Sequence, residues 1–358
     1  MEKPTILIIG LGWASVAFLK TIDTSIYNVE VYSLDNTFTY TPYLAQNILH
    51  NKNLSLEGKD INKEVKYISR EISKIDFKND QIISKNNEKN SYDYLILSHG
   101  AVTNTFNIKG VEKHCSFLKN SYHVDNLREK IKTLPEHSHI AVIGCGLTGT
   151  ELIGTLIDHK KFNIHAIDAL PRPITMFDEK LSNYTLNLWK KNNVTSYMNH
   201  MVSSIDAHKI NFKNDEPISY QLAIWCGGIK KSSLTDRILH DLNLNDKRGI
   251  PVNKYLEIPS VKHTYAMGDC AYSGFPPTAQ VASQQGHYLA LQFNDKFKHK
   301  KPFEFKNKGQ IGYVGNKQSV CQLPYFQSGG NIVYYLNQAI HVYNCINWKQ
   351  RYNFIKSE

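Results

Sequence analysis

The sequence predicts an α/β protein: two Rossmann-like dinucleotide-binding domains, followed by a short C-terminal α/β tail. Two observations predict it. The apolar, β-branched runs Thr5 to Ile9 and Ile140 to Ile143 each lead into a glycine-rich loop. These loops, Gly10-Leu11-Gly12-Trp13-Ala14-Ser15 and Gly144-Cys145-Gly146-Leu147-Thr148-Gly149, each open a segment that reads as helix. In strand–loop–helix context the glycines permit a tight turn and close backbone approach, and the helix N-terminus faces a pyrophosphate.

The remaining elements follow in order. The first loop opens a helix from Trp13 to Thr21, and Val29 to Ser33 alternates as the second strand. Tyr67 to Ile83 reads as hairpin strands turning at Lys78-Asn79-Asp80, and the polar stretch Lys85 to Asn90 as a loop. Tyr94 to Ser98 is an apolar strand ending in Ser98-His99-Gly100-Ala101. In the second unit Thr150 to His159 is the helix and Ile164 to Asp168 the second strand. Leu222 to Trp225, with Cys226-Gly227-Gly228, repeats the earlier strand end. The two halves are a diverged repeat of one plan. Thr264 to Asp269 is a short strand ending in Gly-Asp, and Ala279 to Phe293 a helix. Strand signal returns at Gln310 to Val314 and Ile332 to Leu336. Finally Trp348, Tyr352 and Ile355 fall at i, i+4 and i+7 of an amphipathic stretch.

Composition bounds the function. The 358 residues, 41% hydrophobic and 21% charged, are ordinary for a globular chain with two or three domains. No apolar run approaches a membrane span. The first strand begins almost at Met1 without a cationic start, so no targeting segment is expected and the expected location is cytoplasmic. A net charge of +10 favours anionic partners, yet no nucleic-acid module is recognisable. Six cysteines form no CxxC or CxxxxC pair and read as reduced thiols. His137-Ser138-His139 reads as loop histidines before a strand, and no metal is expected. Two dinucleotide loops imply two bound dinucleotides and electron transfer between them.

Four features carry a family resemblance. Gly-x-Gly-Trp-Ala-Ser is followed by Thr39-Tyr40-Thr41-Pro42. Gly144 to Glu151 reads Gly-x-Gly-x-Thr-Gly-x-Glu. Tyr265 to Cys270 contains Gly-Asp-Cys. Pro276 to Gln285 contains Ala-Gln-x-Ala-x-Gln, the most specific of the four. Together they resemble the type II NADH:quinone oxidoreductases of the two-dinucleotide flavoprotein superfamily, over nearly the whole chain including 308–315. That family usually continues into a longer membrane-associating tail, whereas this chain stops at Glu358. Pyridine-nucleotide disulfide reductases carry a cysteine pair in the region of Phe38 to Asn47; here there is none.

The resemblance implies a glutathione-reductase-like FAD/NAD(P)-binding fold and its domain plan: residues 1–105 and 255–295 would form the FAD domain, 106–254 an inserted NAD(H) domain, and 296–358 a C-terminal region on the quinone or membrane side. It implies non-covalent FAD at Gly10, Gly12, Trp13, Ser15, Ser33, Asp35, Pro42, Gly100, Gly268, Asp269, Ala279 and Gln280. Ser33 stands where an acidic ribose ligand is usual, with Asp35 two positions on. NADH is expected at Gly144, Gly146, Thr148, Gly149, Glu151, Asp168 and Gly227. Asp168 ends its strand where a carboxylate accepts from the ribose diol and repels a 2′-phosphate; Arg172, four residues on, argues the other way. Glu151, Gln280 and Gln284 are the candidate catalytic residues, and Gln284, Lys308 and Ile311 the candidate quinone contacts. NADH would reduce FAD, which would pass two electrons to a quinone or other small acceptor. Sulfide:quinone oxidoreduction is the alternative, with Cys115 and Cys321 as the nominated pair; an apoptosis-inducing-factor-like redox sensor that binds NADH is another. Further candidate partners are an anionic membrane surface, met by Lys296 to Lys301 and the tail 347–358, and a second copy of the chain.

Overall fold

The computed structural model describes residues 3–356. Met1, Glu2 and the end of the tail, Ser357 and Glu358, lie outside the described residues. The chain divides into two compact units. One comprises residues 1–39, 55–102 and 229–307; the other comprises 40–54, 103–228 and 308–358.

In the first unit five parallel strands lie in the order Thr264–Ala266, Tyr94–Leu97, Thr5–Ile9, Asn28–Ser33 and Lys66–Ser69. The central strand is apolar on both faces: Ile6, Leu7 and Ile8 have no exposed surface. Such a continuous run suits a parallel sheet covered on both sides. On one face the helix Trp13–Leu19 lies against Ala279–Asn294. Gly286 permits this approach, because a Cβ there would come within 1.9 Å of the Ala14 carbonyl oxygen. The segment read as a hairpin from Tyr67 divides. Lys66–Ser69 joins the parallel sheet, while Ile72–Asp76 pairs antiparallel with Gln81–Ser84 around the expected turn. Part of the polar stretch read as loop, Lys89–Ser91, adds a third antiparallel strand.

The second unit repeats the plan. Its parallel sheet runs Cys115–Phe117, Leu222–Trp225, His139–Ile143, Asn163–Asp168, Thr195–Met198. The helix Leu147–His159 packs on a three-stranded antiparallel sheet, Gln310–Gly315, Gln318–Leu323 and Phe326–Gly330. Gly154 sets that contact: a Cβ there would meet the Gly315 nitrogen at 2.6 Å.

The tail corrects one expectation. Ile332 to Leu336, read as strand, lies in the helix Asn331–Asn344. Its buried residues are Val333, Asn337 and His341, spaced four apart, which is a helical period. Within that stretch the β-branched Ile332 and the aromatic Tyr335 are exposed. The final helix, Trp348–Lys356, buries Gln350 and Phe354 and leaves Trp348, Tyr352 and Ile355 exposed.

Candidate dinucleotide sites

Both glycine-rich loops stand at the C-terminal end of a central parallel strand, where ligands of open α/β sheets bind. In the first loop Gly10 has φ +104°, and a Cβ would strike the Ser98 carbonyl oxygen at 2.4 Å. The strand end at Ser98 to Gly100 is thereby pressed against the loop. Ser15, where a third glycine is usual, donates its hydroxyl to the Gly10 carbonyl at 2.7 Å and is fully buried. In the second loop a Cβ on Gly149 would lie 1.9 Å from the Gly144 carbonyl oxygen, so no side chain fits. Gly144, at φ +96°, sits against the backbone of Gly227.

Gly12 and Gly146 behave differently. A Cβ on either meets nothing within 4 Å. Each caps the helix its loop opens, and neither supplies a side-chain cap. Elsewhere Asn120, Asp178, Ser232 and Thr278 cap their helices with a side-chain oxygen. A helix N-terminus whose capping residue brings no side chain, beside open space, fits a bound pyrophosphate. The residues present thus fit one dinucleotide at each loop.

Around the first loop, Trp13 packs edge-on against Phe38 at 5.1 Å. The Ser33 hydroxyl donates to the carbonyl of Asp35, and Asp35 is exposed. Gly100, at φ +71°, also faces open space. Gly268, Asp269 and Cys270 form a short 3-10 turn. Ala279 and Gln280 begin the helix capped by Thr278. A residue that sequence reasoning missed, Gln285, fixes this region. It is 1% exposed, accepts the Gly268 N–H at 2.7 Å and donates to the Ser273 hydroxyl at 2.8 Å. Its only sequence signal is its place beside Gln284. The Gln284 amide is engaged at both ends by the Lys306 backbone, at 2.9 Å each way. Pro42 lies in the other unit, on the 3-10 turn Thr41–Tyr43.

Around the second loop, Thr148 is exposed in the first helical turn, whereas Glu151 is 8% exposed. Glu151 lies beside Gly312, and burial pushes its carboxyl up to about 8 against a modest opposing hydrogen bond from the Tyr313 backbone. Glu151 is therefore largely a neutral acid at pH 7. Asp168 accepts the Cys145 N–H at 2.6 Å and the Leu170 N–H at 2.8 Å. Ile311 belongs to the antiparallel strand Gln310–Gly315, and Lys308 precedes it. The nominated thiols Cys115 and Cys321 lie on different sheets of this unit, both buried and both pushed up by burial, Cys115 to about 12. All six cysteines are free. Among the described residues no group of three or more His, Cys, Asp or Glu is arranged to hold a metal.

Comparison with known proteins agrees with this geometry. A probable mitochondrial NADH-ubiquinone oxidoreductase of Schizosaccharomyces pombe is 27% identical, covering 98% of this chain and 81% of its own. A probable NADH dehydrogenase of Dictyostelium discoideum is 29% identical, covering 93% and 83%. The structure of NDH2 from Plasmodium falciparum in complex with NADH superposes with a TM-score of 0.93 at 24% identity, over 99% of this chain and 97% of that one; at that identity the likeness is one of fold. The model of the pyridine nucleotide-disulphide oxidoreductases matches residues 4–286, and the chain belongs to that family.

Proposed function

We propose that this chain is a type II NADH:quinone oxidoreductase that binds FAD non-covalently at the first loop and NADH at the second. The observation that carries the reading is the pair of glycine-capped helix N-termini, each beside open space in the same strand–loop–helix setting. The names of the curated relatives, NADH-ubiquinone oxidoreductase and NADH dehydrogenase, support the acceptor and donor. Bound FAD supplies the chemistry, accepting a hydride equivalent from NADH and returning two electrons to a quinone.

The protein's task is to bind, orient and exclude. Gly10, Gly12, Ser15 and Gly100 shape the flavin phosphate loop, and Gln285 holds the Gly268 backbone in place. Gly144, Gly146, Gly149 and Gly227 shape the nucleotide loop, and Asp168 offers its remaining lone pairs to the ribose diol. Glu151, neutral and buried, donates or accepts a hydrogen bond without placing a charge beside the nicotinamide. Gln280, at the helix start, is assigned to the quinone side. Gln284 acts there through the Lys306 backbone it holds. The sulfide reading lacks support, since its two thiols lie on different sheets and burial disfavours their ionised forms.

The acceptor is assigned to a membrane surface. Tyr325, Ile332, Tyr335, Tyr343, Trp348 and Tyr352 are all more than half exposed in the second unit. Lys349, Arg351 and Lys356 stand among the last of them. Aromatic residues favour the headgroup level, and each nearby cation adds about 1 kcal/mol on an anionic surface. No helix among the described residues is long and apolar enough to cross a bilayer. A second copy of the chain is the competing partner for these side chains. Co-sedimentation with anionic vesicles, falling with salt and with deletion of 347–358, supports the membrane; salt-insensitive dimerisation in ultracentrifugation points to the copy.

The decisive experiment is an anaerobic titration of the purified protein. Flavin absorbance should bleach with NADH and return with a quinone. A colourless protein that gains no flavin absorbance on incubation with FAD refutes the reading.

A further inference from the structure

The segment after Asp168 is a strained turn drawn over the second glycine loop. The loop residue Cys145 is held on both sides of its backbone: its N–H by Asp168, at 2.6 Å, and its carbonyl by the Ile174 N–H, at 2.8 Å. Ile174 is 1% exposed and has φ +43°. A left-handed conformation at a β-branched residue is costly and persists only where its surroundings impose it.

Arg172 and Ser182 impose it. The Arg172 guanidinium donates to the Phe177 carbonyl at 3.0 Å, to the Ser182 hydroxyl at 2.5 Å and to the Thr175 carbonyl at 3.4 Å. Ser182 is fully buried, and its hydroxyl in turn donates to the Pro173 carbonyl at 2.7 Å. One serine therefore accepts from the arginine and donates to the turn the arginine closes. The planar guanidinium matches these acceptors as a lysine would not.

Arg172 stands where an arginine near the end of the second strand accommodates the 2′-phosphate of NADPH. Here its donors point into the turn. We propose that Arg172 is withheld from the coenzyme by Ser182, so that Asp168 alone reads the ribose and the second site selects NADH over NADPH. Ser182, which the sequence does not mark, is then the residue that sets selectivity, by positioning Arg172. This rests on the reading of the second loop as the NADH site. It goes further in saying why an arginine four residues after Asp168 does not open that site to NADPH.

The test uses the full-length flavin-loaded protein, wild type and the variants Ser182→Ala, Arg172→Ala and the double variant. NAD+ and NADP+ binding is measured by calorimetry, and kcat/KM for NADH and NADPH with a soluble quinone. Losing one charge-assisted partner frees Arg172, so Ser182→Ala should shift the ratio of the two affinities toward NADP+ by about tenfold. The double variant should return to the wild-type ratio, and Arg172→Ala alone should leave the ratio unchanged even where both affinities fall. An unshifted ratio in Ser182→Ala overturns the proposal. So does a selective loss of NADP+ binding in Arg172→Ala, which would mean that Arg172 already reaches the phosphate; this arm decides the matter even if Ser182→Ala does not fold. A wild-type protein that binds neither nucleotide would instead remove the functional reading beneath it.

Discussion

The carboxylate of Asp168 accepts the backbone N–H of Cys145 at 2.6 Å, so the residue assigned to the ribose also braces the loop assigned to the pyrophosphate. Its second oxygen takes the Leu170 N–H. Replacing Asp168 by Ala should therefore do two things. Two backbone donors lose a charged acceptor, which lowers stability by about 1–3 kcal/mol. NADH binding weakens, and the preference over NADPH narrows. Thermal melts and the ratio of kcat/KM for the two nucleotides measure both, and a preserved ratio would remove Asp168 from the ribose.

The glycines divide into two groups that mutagenesis can separate. Gly12→Val and Gly146→Val place a side chain in open space at backbone angles any residue adopts. Each should fold normally and lose one ligand: flavin for Gly12, NADH for Gly146. Gly149→Ala meets the Gly144 carbonyl at 1.9 Å and should destabilise the unit. Circular dichroism with flavin absorbance distinguishes these outcomes. A Gly12→Val protein that keeps its full flavin complement would place FAD elsewhere.

Glu151 should make stability fall as pH rises. Its folded pKa of about 8 exceeds the ordinary carboxyl value of 4.5. Its contribution is thus fully present below 4.5, declines between 4.5 and 8, and is gone above 8. Glu151→Gln mimics the neutral acid and should flatten that part of the profile while retaining the fold. Denaturant melts from pH 5 to pH 9 on both proteins test this, and identical slopes would refute a buried neutral acid.

Three histidines act at the acid end. Burial holds half-buried His99 and buried His165 and His341 at about 4, below the ordinary 6.5. The unfolded chain binds protons first, so stability is full above 6.5 and falls as pH drops toward 4, by about 1.4 kcal/mol per pH unit for each group. His99 bonds Thr235 through Nε2 at 2.8 Å, and His341 lies 3.3 Å from the Tyr40 hydroxyl. His99→Gln should reduce the acid slope, and an unchanged slope would show that His99 titrates normally.

Gln280 and Gln284 should separate. Gln284→Ala frees both ends of a backbone contact with Lys306 and should lower the melting temperature. Gln280→Ala should slow flavin reoxidation by quinone more than reduction by NADH in stopped-flow traces. Slowing confined to reduction would move Gln280 off the acceptor side.

The sequence by itself determined the parts governed by local rules. Apolar runs in parallel strands are buried on both faces, so Thr5–Ile9 and His139–Ile143 were legible as central strands. The loops that follow them declare their glycines because positive φ and close backbone approach admit little else, and the repeat of strand, loop and helix is a local pattern too. What the tertiary structure decided depends on partners distant in the chain. Ile332 to Leu336 carries a strand-like composition, but Val333, Asn337 and His341 find burial only along a helix. Gln285 and Ser182 look like ordinary polar helix residues until the fold brings Gly268 and Arg172 to them. Glu151 reads as a first-turn acid, and only the strand that brings Gly312 beside it buries the carboxyl and keeps it neutral. A side chain's charge, and which partner satisfies its hydrogen bonds, are set by desolvation and geometry, and neither is written in the residues beside it.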